Sequence, residues 1–101
     1  MMANFNEIEE ARKLLGLGET ATLKEIKTAY RTLSHRYHPD KHNGIDSEET
    51  QVTRKRLNWA YKLLIDYCDN YKYSFREGDV ARIYPDEEYL RTFKDRWYNS
   101  I

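Results

Sequence analysis

The chain has a single cysteine, Cys68, in 101 residues, which excludes an internal disulfide framework and any zinc site built on paired Cys-x-x-Cys motifs. It also lacks net charge: 17 basic and 17 acidic residues cancel, so the surface as a whole is not drawn to nucleic acid or to an anionic membrane. No apolar run approaches the length of a membrane span, and Met1 to Asn6 carries neither a basic n-region nor an apolar h-region. There is no glycine-rich phosphate loop, internal repeat or low-complexity segment. These absences lead us to expect a soluble, cytoplasmic, monomeric protein in a reducing compartment, with neither nucleic acid nor membrane as its target.

Present instead are many charges and bulky rings. Charged residues make up 34% and aromatics 14%, with nine tyrosines, which suits one helical domain with a few apolar seams. At this length one modest core is the expectation. The charges are also segregated. Glu7, Glu9 and Glu10 lie near the start and Asp79, Asp86, Glu87 and Glu88 towards the end, while Lys24, Lys27, Arg31, Arg36, Lys41 and Arg54 to Arg56 hold the middle. That distribution predicts a local basic patch facing an acidic partner.

Helical periodicity organises the first two thirds. Ile8, Ala11, Leu14 and Leu15 form a short first helix, with Gly16 placed for a left-handed cap. Thr22 to Glu25 reads as a capping box that opens a second helix, whose seam is Leu23, Ile26, Tyr30, Leu33 and Tyr37. Asp46 or Ser47 can cap a third helix, where Leu57, Ala60, Tyr61, Leu64 and Cys68 answer that seam. The predicted class is all-α: an antiparallel hairpin of the second and third helices, a short N-terminal helix and an additional C-terminal helix. Trp59, Leu63 and Tyr67 lie on the other side of the third helix and call for a cover. The expected cover is a C-terminal helix bearing Tyr89, Leu90, Phe93 and Trp97, begun by Pro85 and Asp86.

The chemistry concentrates at His38, Pro39 and Asp40. Pro39 drives the preceding residue out of helical geometry, so the second helix must stop near Tyr37 and the tripeptide must form the hairpin tip. Lys24, Lys27, Arg31 and His35 run towards it at steps of three and four, and Asp40 offers a carboxylate to a partner arginine. A solvated basic face followed by an ordinary Pro-Asp turn is the plainer reading of the same residues. An enzyme would use His38 as a base, yet nothing supplies a nucleophile or a water-excluding cleft. A metal site from His35, His38, His42 and Asp40 would need ligands on opposite sides of a proline break to converge. A nucleic-acid site could use the lysines and arginines, but the tyrosines are committed to apolar seams.

At these residues the sequence resembles the J-domain of DnaJ-type co-chaperones. Four landmarks occur in order: Leu14-Leu15-Gly16-Leu17, Glu25 to Leu33, Tyr37-His38-Pro39-Asp40-Lys41, and Ala60-Tyr61-Lys62-Leu63-Leu64. The resemblance spans roughly Ile8 to Asp66. It implies the same hairpin and a function without catalysis: binding to the ATP-loaded form of a DnaK-type chaperone and stimulation of its ATP hydrolysis, with ATP and magnesium held by that partner and no cofactor or metal in this chain. Carried over by position, Asp40 would engage a partner arginine, His38 and Pro39 would shape the loop, and Lys27 and Arg31 would meet acidic surface. Tyr30 would touch the partner through its hydroxyl while its ring packs, and Lys41 would add charge at the tip.

Departures from the family pattern mark what is particular to this chain. Thr28 and Thr32 thin the basic patch, Ala11 and Arg12 stand where a Tyr pair often opens the first helix, and Arg54 stands where the third helix often supplies Phe. The expected organisation is a J-domain over residues 1–68, an ordered connector over 69–85 and a helical extension over 86–101 that packs on the J-domain. The rival use of that extension is as a docking helix for a client or subunit, which would make the chain a targeting adaptor with weak ATPase stimulation or none.

Overall fold

A computed structural model of the chain describes residues 4–42, 44 and 46–99, without the side chains of residues 41, 42, 87, 98 and 99. Its helices are α1 (Phe5–Leu14), α2 (Leu23–Arg36), α3 (Glu48–Asp69), α4 (Glu77–Ile83) and α5 (Glu87–Asn99), with a one-turn 3-10 helix at Pro39–His42. The chain divides into two units, Met1–Tyr71 and Lys72–Ile101.

In the first unit, local chemistry sets each helix end. The Asn4 side chain accepts from the Glu7 N–H at 2.9 Å and so begins α1 one turn earlier than its apolar spacing alone suggests. α1 ends in paired backbone bonds, Gly16 N–H to the Lys13 carbonyl and Leu17 N–H to the Arg12 carbonyl, both at 3.0 Å. That closure requires a left-handed residue, and Gly16 supplies it at φ 68° without a Cβ penalty. The capping box forms in full: Glu25 N–H donates to Thr22 Oγ1 at 3.1 Å, and Thr22 N–H donates to Glu25 Oε1 at 3.0 Å. Ser47, not Asp46, caps α3, its hydroxyl accepting from the Thr50 N–H.

Three helices share the core. Ala11 and Leu15 come from α1 and its cap, Ile26 from α2, and Leu57, Ala60 and Leu64 from α3. The two alanines on α1 and α3 are fully buried, where a small side chain lets helices approach closely. Tyr30, Leu33 and Tyr37 pack against this cluster from α2 as partly buried residues, whereas Leu23, the first position of the expected seam, stays exposed. α3 lies against both α1 and α2. Leu63 is consequently packed against the core cluster, while Trp59 and Tyr67 remain exposed.

The second unit contains one helix more than expected. Glu77-Gly78-Asp79, which reads as a turn, instead begins α4: Asp79 accepts from the Ser74 hydroxyl and pairs with Arg82 at 3.0 Å, one turn along. The intervening acidic first turn and basic last turn suit the helix dipole. The C-terminal helix is present as α5, with Asp86 Oδ1 accepting from the Glu88 N–H at 2.9 Å. Tyr84 and Tyr89 stack at 5.3 Å across the bend at Pro85. Tyr89, Leu90, Phe93 and Trp97 are all exposed.

Candidate functional site

α2 ends where the proline predicts. Tyr37 is its C-cap, and His38 N–H closes the last turn on the His35 carbonyl at 3.2 Å. The chain then makes the 3-10 turn at Pro39–His42. Its return is closed by Gly44, at φ 78°, whose N–H donates to the Pro39 carbonyl at 3.1 Å. His38, Pro39 and Asp40 therefore occupy a short, internally bonded turn between the two long helices.

Within that turn, His38 Nδ1 accepts from the Asp40 backbone N–H at 3.3 Å. The Asp40 carboxylate also approaches Nδ1, at 3.5 Å. Apart from this approach it has no ion-pair partner among the described residues, and it is 88% exposed. His38 thus orients the Asp40 backbone and leaves the carboxylate open to an incoming cation.

Lys24, Lys27, Arg31 and His35 are exposed along α2, so the basic stripe leading to the tip exists as a surface. The side chain of Lys41 lies outside the described residues. Tyr30 lies instead on the seam of α2 that packs on the core, and its hydroxyl is already engaged: it donates to Asn58 Oδ1 on α3 while the ring stacks on Tyr61, with centroids 4.1 Å apart. The hydroxyl thus keeps only its acceptor capacity for a partner. Neither Asn58 nor this coupling was visible from periodicity, because Asn58 falls between the apolar positions of α3.

Arg54, which the sequence groups with the basic residues expected to face a partner, is instead paired within the chain. Its guanidinium binds Asp46 in a fork, Nη1 to Oδ1 at 2.6 Å and Nη2 to Oδ2 at 2.8 Å, and Nη1 also donates to the Tyr37 carbonyl at 3.3 Å. Both side chains are 30% exposed. The hydrogen bond to Asp46 holds the Arg54 pKa above its ordinary value, against the opposing effect of desolvation. Arg54 thus makes a polar tie across the mouth of the loop. The available clue was an Asp directly before the cap of α3, two helical turns ahead of an arginine.

A similar tie stands at the opposite end of the hairpin. Arg12 forks onto Glu9, Nε to Oε1 and Nη2 to Oε2 at 2.8 Å each, and its Nη1 donates to the Leu17 carbonyl at 3.0 Å. The pair lowers the Glu9 pKa and raises that of Arg12, in each case mainly through the shared hydrogen bond. Beside it, Ile8, Leu17, Ala21, Leu64 and Cys68 line a shallow apolar groove of about 130 Å³. Burial, with the charge of Asp69 second, pushes the Cys68 thiol pKa up, which disfavours the reactive thiolate.

Among the described residues no cluster of three or more His, Cys, Asp or Glu side chains could hold a metal ion, and no helix is long and apolar enough to cross a membrane.

A family profile for the DnaJ domain matches residues 10–73, which includes α2, the tip and all of α3. The chain belongs to the DnaJ domain family. It is 49% identical over 53 residues to the chaperone protein DnaJ of Ehrlichia ruminantium (strain Gardel), a stretch that is 52% of this chain and 13% of that protein. It is 43% identical over 70 residues to DnaJ of Chlamydia pneumoniae, covering 67% of this chain and 17% of the relative. Against DnaJ of Hydrogenobacter thermophilus the identity is 34% over 97 residues, or 93% of this chain and 26% of the other. The J-domain chain thus spans between about an eighth and a quarter of the length of these relatives. No solved structure matches it.

Proposed function

We propose that this J-domain chain is a co-chaperone that binds the ATP-loaded form of a DnaK-type chaperone and stimulates its ATP hydrolysis, with no catalysis of its own. The observation that carries this reading is the exposed Asp40 carboxylate, held at a hairpin tip at the end of a basic helical face. Lys27 and Arg31 bring the tip to an acidic partner surface by attraction that salt screens. Asp40 then takes a partner arginine, a charge-assisted contact whose geometry can report on the partner's nucleotide site. His38 and Pro39 fix the turn, Tyr30 contributes its ring and remaining acceptor, and Lys41 adds charge. ATP and magnesium belong to the partner, and the cytoplasm is the compartment in which the two would meet.

The test is single-turnover ATP hydrolysis by a purified DnaK-type chaperone at rising concentrations of this chain. A saturable rise in rate supports the proposal; an unchanged rate across a panel of such chaperones refutes it. A second reading is favoured by the exposed Tyr89, Leu90, Phe93 and Trp97 of α5, which suit a helix that docks a client or subunit. Removing residues 86–101 tests it. Lost capture of a client with unchanged thermal stability supports docking, whereas a lower Tm supports the packing role expected from the sequence.

A further inference from the structure

We propose that Arg54 is a positioning residue for the tip: by tying the Tyr37 carbonyl, at the end of α2, to the Asp46 carboxylate, ahead of α3, it holds both ends of the loop that presents Asp40. This rests on the co-chaperone reading above.

The argument begins with connectivity. Tyr37 directly precedes His38, and Asp46 directly precedes the Ser47 cap, so one guanidinium touches both points at which the loop joins the helices. Arg54 itself projects from α3, whose next residues towards its C-terminus include the buried Leu57 and Ala60, so the tie is anchored in the core. Three donors in a planar fork restrict orientation as well as distance, which a lysine at this position could not do. Arg12 shows by contrast what a merely local tie looks like, since its carboxylate partner lies three residues away on the same helix. The partners of Arg54 lie 8 residues away, at the near end of the loop, and 17 residues away, at its far end.

Fixing the loop ends changes partner affinity rather than the chemistry of the partner. A loop that samples several orientations binds only through the competent fraction, and the apparent dissociation constant rises as that fraction falls. Once bound, the contact made by Asp40 is the same. Arg54→Met, which keeps the aliphatic stem, is therefore expected to raise the concentration for half-maximal stimulation about fivefold while the maximal rate is kept. Arg54→Lys should fall between wild type and Arg54→Met. Adding Asp46→Asn to Arg54→Met should change little, because the two side chains act as one unit.

Three readouts test the inference together: the stimulation curve of a DnaK-type chaperone, thermal unfolding, and backbone amide order parameters of His38 and Asp40 in the free chain. A shifted half-maximal concentration, with loosened amides in Arg54→Met, supports it. A lowered Tm with an unmoved stimulation curve and unmoved amides overturns it, since Arg54 would then be structural only. Should wild type stimulate no DnaK-type chaperone, the co-chaperone reading fails, and the amide measurement alone decides whether Arg54 orders the tip.

Discussion

The two ends of the α2–α3 hairpin use the same side chain for different ends. At the base, the Arg12 fork sits beside an apolar groove, and Leu15, Ile26 and Leu64 are buried nearby. At the tip, the Arg54 fork closes a loop whose key carboxylate is 88% exposed. Packing holds the base, so its polar tie adds to order that exists already. The tip has little apolar surface to bury, so hydrogen bonds, a proline and a left-handed glycine must supply its order. The contrast predicts that presentation and stability are separable in this molecule, and a set of variants can break or sharpen that separation.

The largest effect should come from the base. Leu64→Ala leaves a cavity where α1, α2 and α3 meet, which costs about 3 kcal/mol and lowers Tm by more than 10 °C in a domain of this size. Below its new Tm this variant should still stimulate a DnaK-type chaperone. Asp40→Asn should do the reverse. It removes the charge and keeps the shape, losing about 2 kcal/mol of charge-assisted contact, or roughly a thirtyfold drop in stimulation, with unchanged circular dichroism and Tm. If both variants lost stability and stimulation in parallel, the separation of the two ends would be wrong.

Smaller effects sharpen the picture between those ends. Thr22→Ala breaks the capping box at the start of α2 and should cost about 1 kcal/mol in urea unfolding, without altering the concentration for half-maximal stimulation. Lys27→Ala and Arg31→Ala should each weaken partner binding by about half a kcal/mol at low salt, and the loss should shrink as salt is raised.

The smallest expected effect is a pH dependence. The backbone bond from Thr22, with its side-chain bond second, lowers the Glu25 pKa below the ordinary 4.5. The folded state thus favours the ionised form, so this contribution is fully present above the unfolded value of 4.5 and is lost as pH falls through the lower folded value. Glu9, lowered chiefly by its bond to Arg12, acts in the same direction. Urea midpoints measured from pH 7 down to pH 3 should fall below about pH 4.5, and Glu25→Gln should make that decline shallower.

Much of the hairpin was legible because its determinants are local. Thr22 and Glu25 lie three residues apart, so one turn of helix brings them together whatever surrounds it. Pro39 ends α2 through its own ring, and Gly16 caps α1 because it lacks a Cβ. The apolar seams at Ile26, Leu57, Ala60 and Leu64 follow from the helical period, and the His-Pro-Asp tip follows from the break between them. Glu77-Gly78-Asp79 shows the limit of local reading. Its residue types suit a turn, yet the Ser74 and Arg82 contacts to Asp79 accompany a helix there.

The sequence by itself determined where the long helices of this J-domain begin and end, which of their faces are apolar, and that Asp40 stands at a turn between them. Only the tertiary structure decided how those parts are tied together. Arg54 finds Tyr37 and Asp46, Tyr30 commits its hydroxyl to Asn58, and α1 joins α2 in covering α3. The physical reason is range. Capping, periodicity and proline stereochemistry act within a few residues, whereas a guanidinium or a phenol chooses among every group that folding brings within hydrogen-bond distance.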